Sequence, residues 1–564
     1  FQTKFPKCQE ERYHMIMERG VILPQSRIEA ARSGNFWQDR TILDYFDERV
    51  ANTPDKVCLV EDNSMTGQRT ALSYRQLDER AARIAMGLIN LGIQRDDIIS
   101  CQLPNWWQFV ALHLAAVRIG AITNPLMPIF RERELEFMLG WAESKLLVVP
   151  EVFRGYDHVA LATSLRERLP ELDHVLVIGA EGNGTFDALL HQDMDRKAAD
   201  ALFAKRRLAP DDIISIMYTS GTTGEPKGVM HTSNTLCCNL VQFRDVQNIT
   251  SSDVTIMPSP LAHQTGFLYG IMNPILTGGT VVLQDIWNPR KAIDLINGEG
   301  VTFTIASTPF LADLCEAAKD RLEELRSLRL FVSAGAPIPR DLVRMGEERL
   351  GAMIISLWGM TENGAVCCTR PDDPPEKTFE TDGRHVPGMA CMIADDENQQ
   401  VPVNEEGRLL VQGAGMFVGY LKRPDLYVTD QDGWFDTGDL ARMDGEGYIR
   451  ITGRSKDVII RGGENIPIVE IENLLHGHPA IAEVAIVAMP DPRLGERGCA
   501  FVVTRQGETL THSEMVLFLQ EMKCAKQYMP ERLEIVAAMP RTPSGKIQKF
   551  NLRALAKNFT PNGG

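Results

Sequence analysis

The chain has 564 residues, 44% of them hydrophobic and 24% charged, which is typical of globular proteins and long enough for about three or four packing units. Its formal net charge of −16 argues against a surface that binds nucleic acid or anionic membranes in general. The eleven cysteines contain no C-x-x-C motif, and no apolar run has the length of a membrane span or the context of a secretory signal, so we expect a cytoplasmic protein with reduced thiols.

From about residue 40 to residue 360, short apolar strands alternate with amphipathic helices. Near-continuous apolar runs of this kind are typical of parallel strands that are covered on both faces. In such sheets, ligands bind outside the carboxyl ends of the strands, so we expect the chemistry in the segments that follow them. The predicted strands are residues 98–103, 146–149, 175–178, 213–218, 254–257, 280–283, 303–306, 330–333 and 354–357.

The pattern changes after about residue 380. Residues 385–454 contain short alternating runs separated by glycine, which indicates antiparallel hairpins or a small barrel. Beyond residue 455 we predict a small α+β unit with strands at 458–460, 484–488, 500–504 and 533–536 and helices at 469–475 and 513–523. The predicted fold is therefore α/β: a large N-terminal domain (1–455) of doubly wound, mainly parallel sheets with a β-barrel-like subdomain, and a small C-terminal domain (456–564).

The segment Y-T-S-G-T-T-G-E-P-K-G, residues 218–228, follows a predicted strand. Its glycines allow the backbone to approach an anion, and its hydroxyls and lysine add donors and charge. It is not a Walker A loop, because no Gly-Lys-Ser/Thr follows. A flexible surface turn is the alternative, but the combination favours phosphate binding. The predicted contacts are Thr219, Ser220, Gly221, Thr222, Thr223, Gly224 and Lys227.

Four further blocks follow in the chain. They are W-G-M-T-E at 358–362, D-G-W-F-D-T-G-D at 432–439, Y-I-R-I-T-G-R-S-K-D at 448–457 and P-R-T-P-S-G-K-I at 540–547. Together with the phosphate loop, this series resembles the adenylate-forming superfamily of acyl-CoA synthetases, luciferases and peptide-synthetase adenylation domains, over about residues 43–552. The resemblance implies two steps: ATP and a carboxylic acid give acyl-AMP and pyrophosphate, and CoA then gives acyl-CoA and AMP.

The same resemblance assigns roles to single residues. It implies that Glu362 is a Mg²⁺ ligand, that Thr361 contacts phosphate, and that Asp439, with Arg454 nearby, binds the ribose hydroxyls. Lys546 is the implied catalytic residue, which offsets charge in the adenylation transition state. The plainer alternatives are a solvated glutamate, a turn aspartate and a solvated lysine. The implied adenine slot is formed by Gly335, Ala336, Pro337, Trp358 and Gly359, although Trp358 also fits an ordinary core aromatic.

The resemblance also implies a mobile C-terminal domain that rotates between the two steps. Lys456 falls at the hinge, and rotation would remove Lys546 after adenylation. Gly462 and Gly463 would line the tunnel for the pantetheine arm of CoA. No carrier domain is expected after this one, which favours free CoA as the acceptor. Acylation of Lys546 would remove its charge and stop the first step.

The acyl pocket is predicted around residues 260–270, P-L-A-H-Q-T-G-F-L-Y-G. Amino-acid-activating relatives place an aspartate near here, whereas this chain has His263, Gln264 and Phe267, which suits an acid without an amino group. A core histidine is the alternative for His263. Further predicted pocket residues are Ser307, Thr308 and Leu357.

Three segments resemble bacterial ligases for medium-chain fatty acids and for cyclohexanecarboxylate: P-L-A-H-Q-T-G-F at 260–267, S-T-P-F-L-A-D-L at 307–314 and R-T-P-S-G-K-I-Q-K-F at 541–550. The specific prediction is therefore cyclohexanecarboxylate or a medium-chain acid. An aromatic-acid–CoA ligase, an amino-acid-activating enzyme, a luciferase-like oxygenase and a non-enzymatic ligand sensor are the alternatives. The expected partners are ATP, CoA and a small carboxylic acid, without nucleic acid, in a monomer or homodimer.

Overall fold

The structure is a computed structural model that describes residues 18–179, 184–191, 193–219, 225–336, 338–455, 458–461, 464–542 and 545–559. Several predicted site residues lie outside this part of the chain: Ser220, Gly221, Thr222, Thr223, Gly224, Pro337, Lys456, Gly462 and Gly463. Within the described ranges, none of the helices combines the length and the apolarity that a membrane crossing requires.

A nine-stranded sheet forms one half of the large domain. Its six central strands pair in parallel, in the order Met353–Met360, Leu330–Ala334, Phe303–Ala306, Val254–Met257, Thr280–Gln284 and Val57–Asp62. Antiparallel strands extend both edges, with Arg69–Ser73 on one side and Gly364–Cys368 followed by Arg384–His385 on the other. The inner strands are buried along their whole length, as expected for parallel strands between layers of helices.

A six-stranded sheet forms the other half. Its order is Lys227–Thr232, Ile213–Thr219, Ile122–Pro125, Ile98–Cys101, Leu146–Pro150 and His174–Ile178, and only the first pair is antiparallel. Val152–Phe153 and Tyr156–Asp157 form a separate two-stranded ladder. The helix Trp107–Arg118 is apolar on nearly all sides and almost every residue of it is buried, as befits a helix in the core of a large domain.

The helices of the large domain begin and end with ordinary capping chemistry. The helix Tyr74–Asn90, for example, starts at Ser73, whose hydroxyl accepts from the Gln76 backbone N–H while the Gln76 side chain accepts from the Ser73 backbone N–H. The α-helices are Gln25–Ser33, Ile42–Asn52, Tyr74–Asn90, Trp107–Arg118, Glu132–Ala142, His158–Arg168, Asp187–Leu190, Arg196–Arg206, Ser233–Val246, Gln264–Gly266, Asn273–Thr277, Pro289–Glu299, Thr308–Ala317, Arg340–Leu350 and Pro375–Glu380. Phe267–Met272 is π-helical, and Leu322–Leu325 and Pro424–Leu426 are 3₁₀ turns.

The hairpins expected between residues 385 and 454 form a four-stranded antiparallel sheet. Its strands, in spatial order, are Met389–Ala394, Gly407–Gly413, Phe435–Met443 and Ile449–Arg454. The last two strands pair Asp439 with Arg454, so two predicted site residues are neighbours in this sheet.

The C-terminal domain has its own sheet and its own hydrophobic core. Four strands pair antiparallel in the order Glu464–Ile466, Ile459–Arg461, Gly495–Thr504 and Ile481–Asp491, and Arg532–Ile535 adds to Gly495–Thr504 in parallel. Its α-helices are Ile468–His476, His512–Glu521 and Lys549–Ala556, with a 3₁₀ turn at Lys526–Tyr528.

The predicted α/β fold, with its antiparallel subdomain and separate C-terminal domain, is thus confirmed. The predicted position of the domain boundary stays a prediction, since residues 456 and 457 are not among those described. Some elements were missed: Val57–Asp62, Ile122–Pro125, Lys227–Thr232 and Lys549–Ala556. Lys227–Thr232 begins within the phosphate-loop motif, where Gly and Pro are typical of a loop, and only its pairing with Ile213–Thr219 makes it a strand.

Candidate functional site

Three neighbouring parallel strands end at one edge of the nine-stranded sheet and carry the site. Val254–Met257, Phe303–Ala306 and Leu330–Ala334 are adjacent, so the segments after their carboxyl ends lie side by side. A narrow cleft lies there, with a free volume of only about 10 Å³, roughly the space of one water molecule. Its lining residues are Ser259, Pro260, His263, Thr265, Ser307, Ala334, Gly335 and Lys546.

Lys546 enters this cleft from the C-terminal domain. A turn presents it, in which the Thr542 N–H donates to the Lys546 carbonyl at 2.7 Å and the Lys546 N–H donates to the Thr542 hydroxyl at 3.0 Å. Gly335 has a φ of +78°, and a Cβ built on it would lie 3.7 Å from the Lys546 Cε. A Cβ on Gly545 would lie 3.1 Å from the Ser307 hydroxyl oxygen. The contact at Gly545 is tight, so glycine there helps the two domains to approach closely, whereas at Gly335 the positive φ is what favours glycine.

The surroundings of Lys546 lower its pKa. Burial is the main cause and lowers the pKa of Lys546 to about 8. Repulsion by Arg454 lowers it further, while the negative charges of Asp439 and Glu362 act in the opposite direction. The structure thus brings together four predicted residues that come from four separate sequence blocks.

Asp439 links the antiparallel subdomain to the strand Met353–Met360. One carboxylate oxygen accepts from the Trp358 indole N–H at 2.8 Å, and the other pairs with the Arg454 Nε at 2.9 Å. The Asp439 backbone N–H donates to the Thr437 hydroxyl at 3.1 Å. Trp358 is half-buried and held by this bond, so it is not an ordinary core aromatic. Each Asp439 oxygen keeps acceptor capacity for one further donor.

Glu362 and Thr361 are held from two sides. The Tyr420 hydroxyl donates to a Glu362 carboxylate oxygen at 2.8 Å, and the Phe417 N–H donates to the Glu362 carbonyl at 2.7 Å. The buried His231 places its Nε2 2.7 Å from the Thr361 carbonyl oxygen, so this nitrogen carries the proton and donates. Burial lowers the pKa of His231 to about 4, which keeps the ring neutral.

Tyr420 also contacts the phosphate-loop side of the site. The Lys227 Nζ lies 5.0 Å from the centroid of the Tyr420 ring, within the range of a cation–π contact. The Leu421 N–H donates to the Gly228 carbonyl at 2.8 Å, which fixes this segment against the strand Lys227–Thr232. Thr219 and Lys227 are directly opposed across the hairpin, so the loop between them is closed at its base.

Sequence analysis missed both Tyr420 and His231 as site residues. Tyr420 lies in the apolar run F-V-G-Y-L, which is typical of a buried strand, and nothing near it in the chain is acidic. His231 follows the phosphate loop closely, and a histidine so near a ligand motif is the signal that could have identified it. Its partner Thr361 lies 130 residues away, so only the fold reveals the contact.

The predicted acyl-pocket residues divide into three groups. His263 and Ser307 line the cleft, and the Thr265 N–H donates to the His263 Nδ1 at 3.2 Å. Burial, with Lys546 adding repulsion, lowers the pKa of His263 to about 3, so the ring is neutral with its proton on Nε2. Gln264 is 5% exposed, and neither atom of its amide has a partner among the described residues.

Others of these residues belong to the packed core. Phe267 is fully buried and meets His113 edge-on, with ring centroids 4.7 Å apart. Leu357 is buried in the main hydrophobic cluster, and Thr308 places its hydroxyl 3.4 Å from that of Ser333. These residues form the packed layer that supports the cleft.

Two further residues complete the arrangement. Asn105, which sequence analysis did not single out, donates to the Met257 and Ser259 carbonyls and accepts from the Leu261 N–H, which holds the segment that leads to His263. At Gly359, a Cβ would lie 1.9 Å from the Gly364 carbonyl oxygen, so this position accepts only glycine.

Comparison with known proteins agrees with this arrangement. A family model described as AMP-binding enzyme matches residues 46–421, and one described as AMP-binding enzyme C-terminal domain matches residues 470–546. The chain is 36% identical over 540 residues to the medium-chain fatty-acid–CoA ligase of Escherichia coli (strain K12), covering 95% of this chain and 94% of the relative. It is 34% identical over 553 residues to a salicylyl-CoA synthase / salicylate adenylyltransferase of Streptomyces sp., covering 96% and 98%.

A solved structure shares the fold over its full length. The crystal structure of ATP-bound MatB from Rhodopseudomonas palustris has a TM-score of 0.81 and 27% identity, and the match covers 92% of this chain and 99% of that one. The fold and the matched family models define an adenylate-forming enzyme. The chain belongs to the AMP-binding enzyme family, and within it to the ATP-dependent acid–CoA ligases that form AMP.

Proposed function

We propose that this enzyme activates a medium-sized apolar carboxylic acid, either a medium-chain fatty acid or cyclohexanecarboxylate, and transfers the acyl group to CoA. The observation that carries the proposal is Lys546 in the cleft at the strand ends, beside His263 and Ser307. The described lining contains no carboxylate that could bind a substrate ammonium group, which disfavours an amino acid. The similarity to the Escherichia coli medium-chain fatty-acid–CoA ligase supports an aliphatic acid.

In the first step, a carboxylate oxygen attacks the α-phosphorus of ATP, and the bond from that phosphorus to pyrophosphate breaks. Two anions meet, so charge neutralisation and positioning are the main tasks of the protein. Lys546 is protonated at neutral pH and neutralises the oxygens of the carboxylate and the α-phosphate. Asp439 accepts from the ribose hydroxyls while Trp358 stacks on adenine. The loop that ends at Lys227 holds the outer phosphates.

Glu362 fits the role of a ligand to Mg²⁺ that arrives with ATP. Its carboxylate is held by one hydrogen bond from Tyr420 and offers the oxygen donors that this ion prefers. Within the described ranges, no cluster of three or more His, Cys, Asp or Glu side chains could hold a metal ion. When bound, Mg²⁺ neutralises phosphate charge.

In the second step, the thiol of CoA attacks the acyl carbonyl carbon and AMP leaves. For this the C-terminal domain rotates at a hinge near Lys456, which withdraws Lys546 and brings the Gly462–Gly463 segment to the cleft as the pantetheine path. These positions lie outside the described residues, so the step is supported by the family relationship. We further propose that the enzyme works in the cytoplasm on small molecules, as a monomer or homodimer.

The test of the proposed function is pyrophosphate release with ATP, Mg²⁺ and CoA across linear, alicyclic and aromatic acids of matched size. Apolar pockets distinguish acids by only about 1–3 kcal/mol per methylene, so we expect a broad optimum among C6–C10 and cyclohexane acids. A preference for aromatic hydroxy acids over all of these would contradict the proposed substrate class.

The buried amide of Gln264 favours a second candidate, an aryl acid that carries a hydroxyl group. A buried amide without a partner is costly, and a ligand hydroxyl would satisfy it. The similarity to the salicylyl-CoA synthase / salicylate adenylyltransferase points in the same direction.

The replacement Gln264→Met, which keeps the size and removes the amide, separates the two candidates. If the substrate is apolar, KM for the acid stays within about threefold or improves, because no hydrogen bond is lost. If the substrate is a hydroxyaryl acid, KM rises by about tenfold or more while KM for ATP is unchanged. Gln108→Met is the matched control, since Gln108 also has a buried amide oxygen without a partner among the described residues and lies outside the cleft lining.

A further inference from the structure

Two cysteines from different sheets meet behind the nucleotide side of the site. The sulfur atoms of Cys367 and Cys391 are 3.3 Å apart and share a hydrogen bond. Cys367 lies on Gly364–Cys368, the second strand from one edge of the nine-stranded sheet, and Cys391 lies on Met389–Ala394 of the four-stranded antiparallel sheet. The pair therefore bridges two bodies of the large domain that no strand pairing joins at this point.

The two thiols differ in access. Cys367 is completely buried, while Cys391 is partly exposed. Burial, followed by the hydrogen bond with Cys391, raises the pKa of Cys367 well above its usual range, so that thiol stays protonated. Cys368, the next residue, points to the opposite face of the strand and accepts from the Gln247 amide at 3.3 Å. Among the cysteines in the described part of the chain, Cys367 is the one whose sulfur lies close enough to react with an oxidised Cys391.

We propose that Cys367 and Cys391 form a two-cysteine oxidation site, which a peroxide converts reversibly to a disulfide. The Cys391 thiol releases its proton, the thiolate attacks one oxygen of hydrogen peroxide, and the O–O bond breaks. The departing hydroxide takes up the released proton, so Cys391 sulfenic acid and water result. The Cys367 sulfur then attacks the Cys391 sulfur, the S–S bond forms, and the S–O bond breaks. Hydroxide leaves with the Cys367 proton as a second water. Two thiols lose two electrons in total, and the peroxide gains them.

The bond would change the geometry of the nucleotide site. A disulfide requires the sulfur atoms to approach to about 2.05 Å, so the two sheets must shift toward each other at this point. Cys367 is directly opposite Trp358 in the adjacent strand, and Trp358 donates to Asp439. We therefore expect oxidation to disturb the Trp358–Asp439 pair and to weaken ATP binding. This consequence rests on the proposed function, whereas the disulfide itself does not.

Cys524 supplies a matched control. Of the cysteines in the described ranges, only Cys391 and Cys524 are not buried, and the Cys524 sulfur lies 3.7 Å from the Ala525 carbonyl oxygen rather than near another sulfur. General oxidation by peroxide would modify both exposed thiols alike. A specific two-cysteine site would instead join Cys391 to Cys367 and leave Cys524 without a cross-link.

The experiment is non-reducing peptide mapping by mass spectrometry of the full chain after hydrogen peroxide treatment. We expect a peptide pair that joins Cys367 to Cys391, which dithiothreitol removes, and which Cys391→Ser abolishes and Cys524→Ser retains. In Cys367→Ser, dimedone should trap a sulfenic acid at Cys391, because the resolving thiol is missing. Sulfinic acid at Cys391 without a cross-link, or equal modification of Cys524, would overturn the site.

A second experiment tests the effect on function by measuring KM for ATP before oxidation, after oxidation and after reduction. We expect a reversible rise of about threefold or more in the parent and in Cys524→Ser, and no response in Cys391→Ser. A cross-link with unchanged KM for ATP would overturn the coupling to the nucleotide site. Loss of all activity before oxidation would instead point to a failure of the proposed function.

Discussion

At the scale of single residues, Tyr420 connects Glu362 and Lys227, the two charged groups that we propose to flank the phosphates. Its hydroxyl donates to Glu362, and its ring contacts Lys227. Burial, followed by the Glu362 charge, raises the pKa of the Tyr420 hydroxyl, so it remains the donor. We infer that Tyr420 is a positioning residue that aims the Glu362 carboxylate.

The replacement Tyr420→Phe tests this role, because it removes the hydroxyl and retains the ring. A hydrogen bond to a charged group contributes about 1.5–3 kcal/mol, so we expect kcat/KM for ATP to fall by about ten- to a hundredfold. The Mg²⁺ concentration for half-maximal activity should rise in parallel. Tyr427→Phe, in the same aromatic cluster, is the control. Equal Mg²⁺ dependence in both variants would contradict the positioning role.

Lys546 leads to a prediction about pH. Only the protonated ammonium can neutralise the reacting oxygens, and the pKa of Lys546 is lowered to about 8. The first step should therefore lose rate as the pH rises through about 8, seen in kcat/KM for acyl-AMP formation, which reports the free enzyme.

Lys546→Arg should shift the loss of kcat/KM to higher pH, because a guanidinium keeps its charge. It should also lower the maximal kcat/KM, because the planar guanidinium does not fit the space of the ammonium group. The measurement is pyrophosphate formation across pH 6–10 with each protein. An unchanged upper limb in Lys546→Arg would assign the titration to another group.

At the scale of the elements, the start of the helix Trp107–Arg118 depends on a buried carboxylate. Glu61, which is 2% exposed, accepts from the Trp107 N–H at 2.8 Å and from the Asn63 amide at 3.1 Å. Burial nevertheless raises the pKa of Glu61 to about 7, with Asp285 adding repulsion. The charged form is thus disfavoured in the folded state despite the helix N-terminus.

The sign of the resulting pH dependence follows from linkage. Because the pKa of Glu61 is raised in the folded state, its contribution to the free energy of unfolding is fully present below its unfolded pKa of about 4.5. This contribution is lost as the pH rises through about 7. Glu61→Gln keeps an acceptor and removes the titration.

At about pH 8, Glu61→Gln should exceed the parent in free energy of unfolding by about 2 kcal/mol, and at about pH 4.5 the two should nearly coincide. Urea unfolding at the two pH values measures this. The exposed Glu79→Gln is the control for charge. A variant that is less stable than the parent at both pH values would show that the ionised form is needed for the helix start.

At the scale of the whole molecule, the first half-reaction requires contact between two domains. Lys546 belongs to the C-terminal domain, whereas Glu362 and Trp358 belong to the large one, and Asp439 to its antiparallel subdomain. The orientation seen here brings Lys546 into the cleft, and we propose that it is the arrangement in which adenylation takes place.

Lys546→Ala should therefore abolish one step and spare the other. We expect acyl-AMP formation to fall by about 100- to 1,000-fold, as when one preorganised charge-stabilising donor is removed. Thioester formation from supplied acyl-AMP should stay within about threefold, because Lys546 leaves the cleft before that step. Lys557→Ala, an exposed lysine of the same domain, is the control. Equal loss of both half-reactions would contradict the domain rotation.

Much of the molecule is predictable from local patterns. The strands predicted at 254–257 and 303–306 agree residue for residue with the observed strands Val254–Met257 and Phe303–Ala306. The agreement is good because short apolar runs between polar segments are typical of buried strands. The strand predicted at 98–103 ends earlier, at Cys101, just before Leu103–Pro104, where proline restricts the preceding residue and has no N–H to donate. The missed strand Ile122–Pro125 lies inside the six-stranded sheet, and it contains Asn and Pro, which strands rarely include.

The sequence by itself determined the class of chemistry, because its blocks contain an anion loop, carboxylates and a lysine. Residue types that lie close together in the chain can be recognised without knowledge of the fold. The tertiary structure alone decided which of them meet. Tyr420 and Glu362 are 58 residues apart, and Trp358 and Asp439 are 81 apart, yet each pair shares a hydrogen bond. Such contacts depend on strand order and domain closure, which result from packing of the whole core. The same holds for Cys367 and Cys391, whose contact joins two separate sheets.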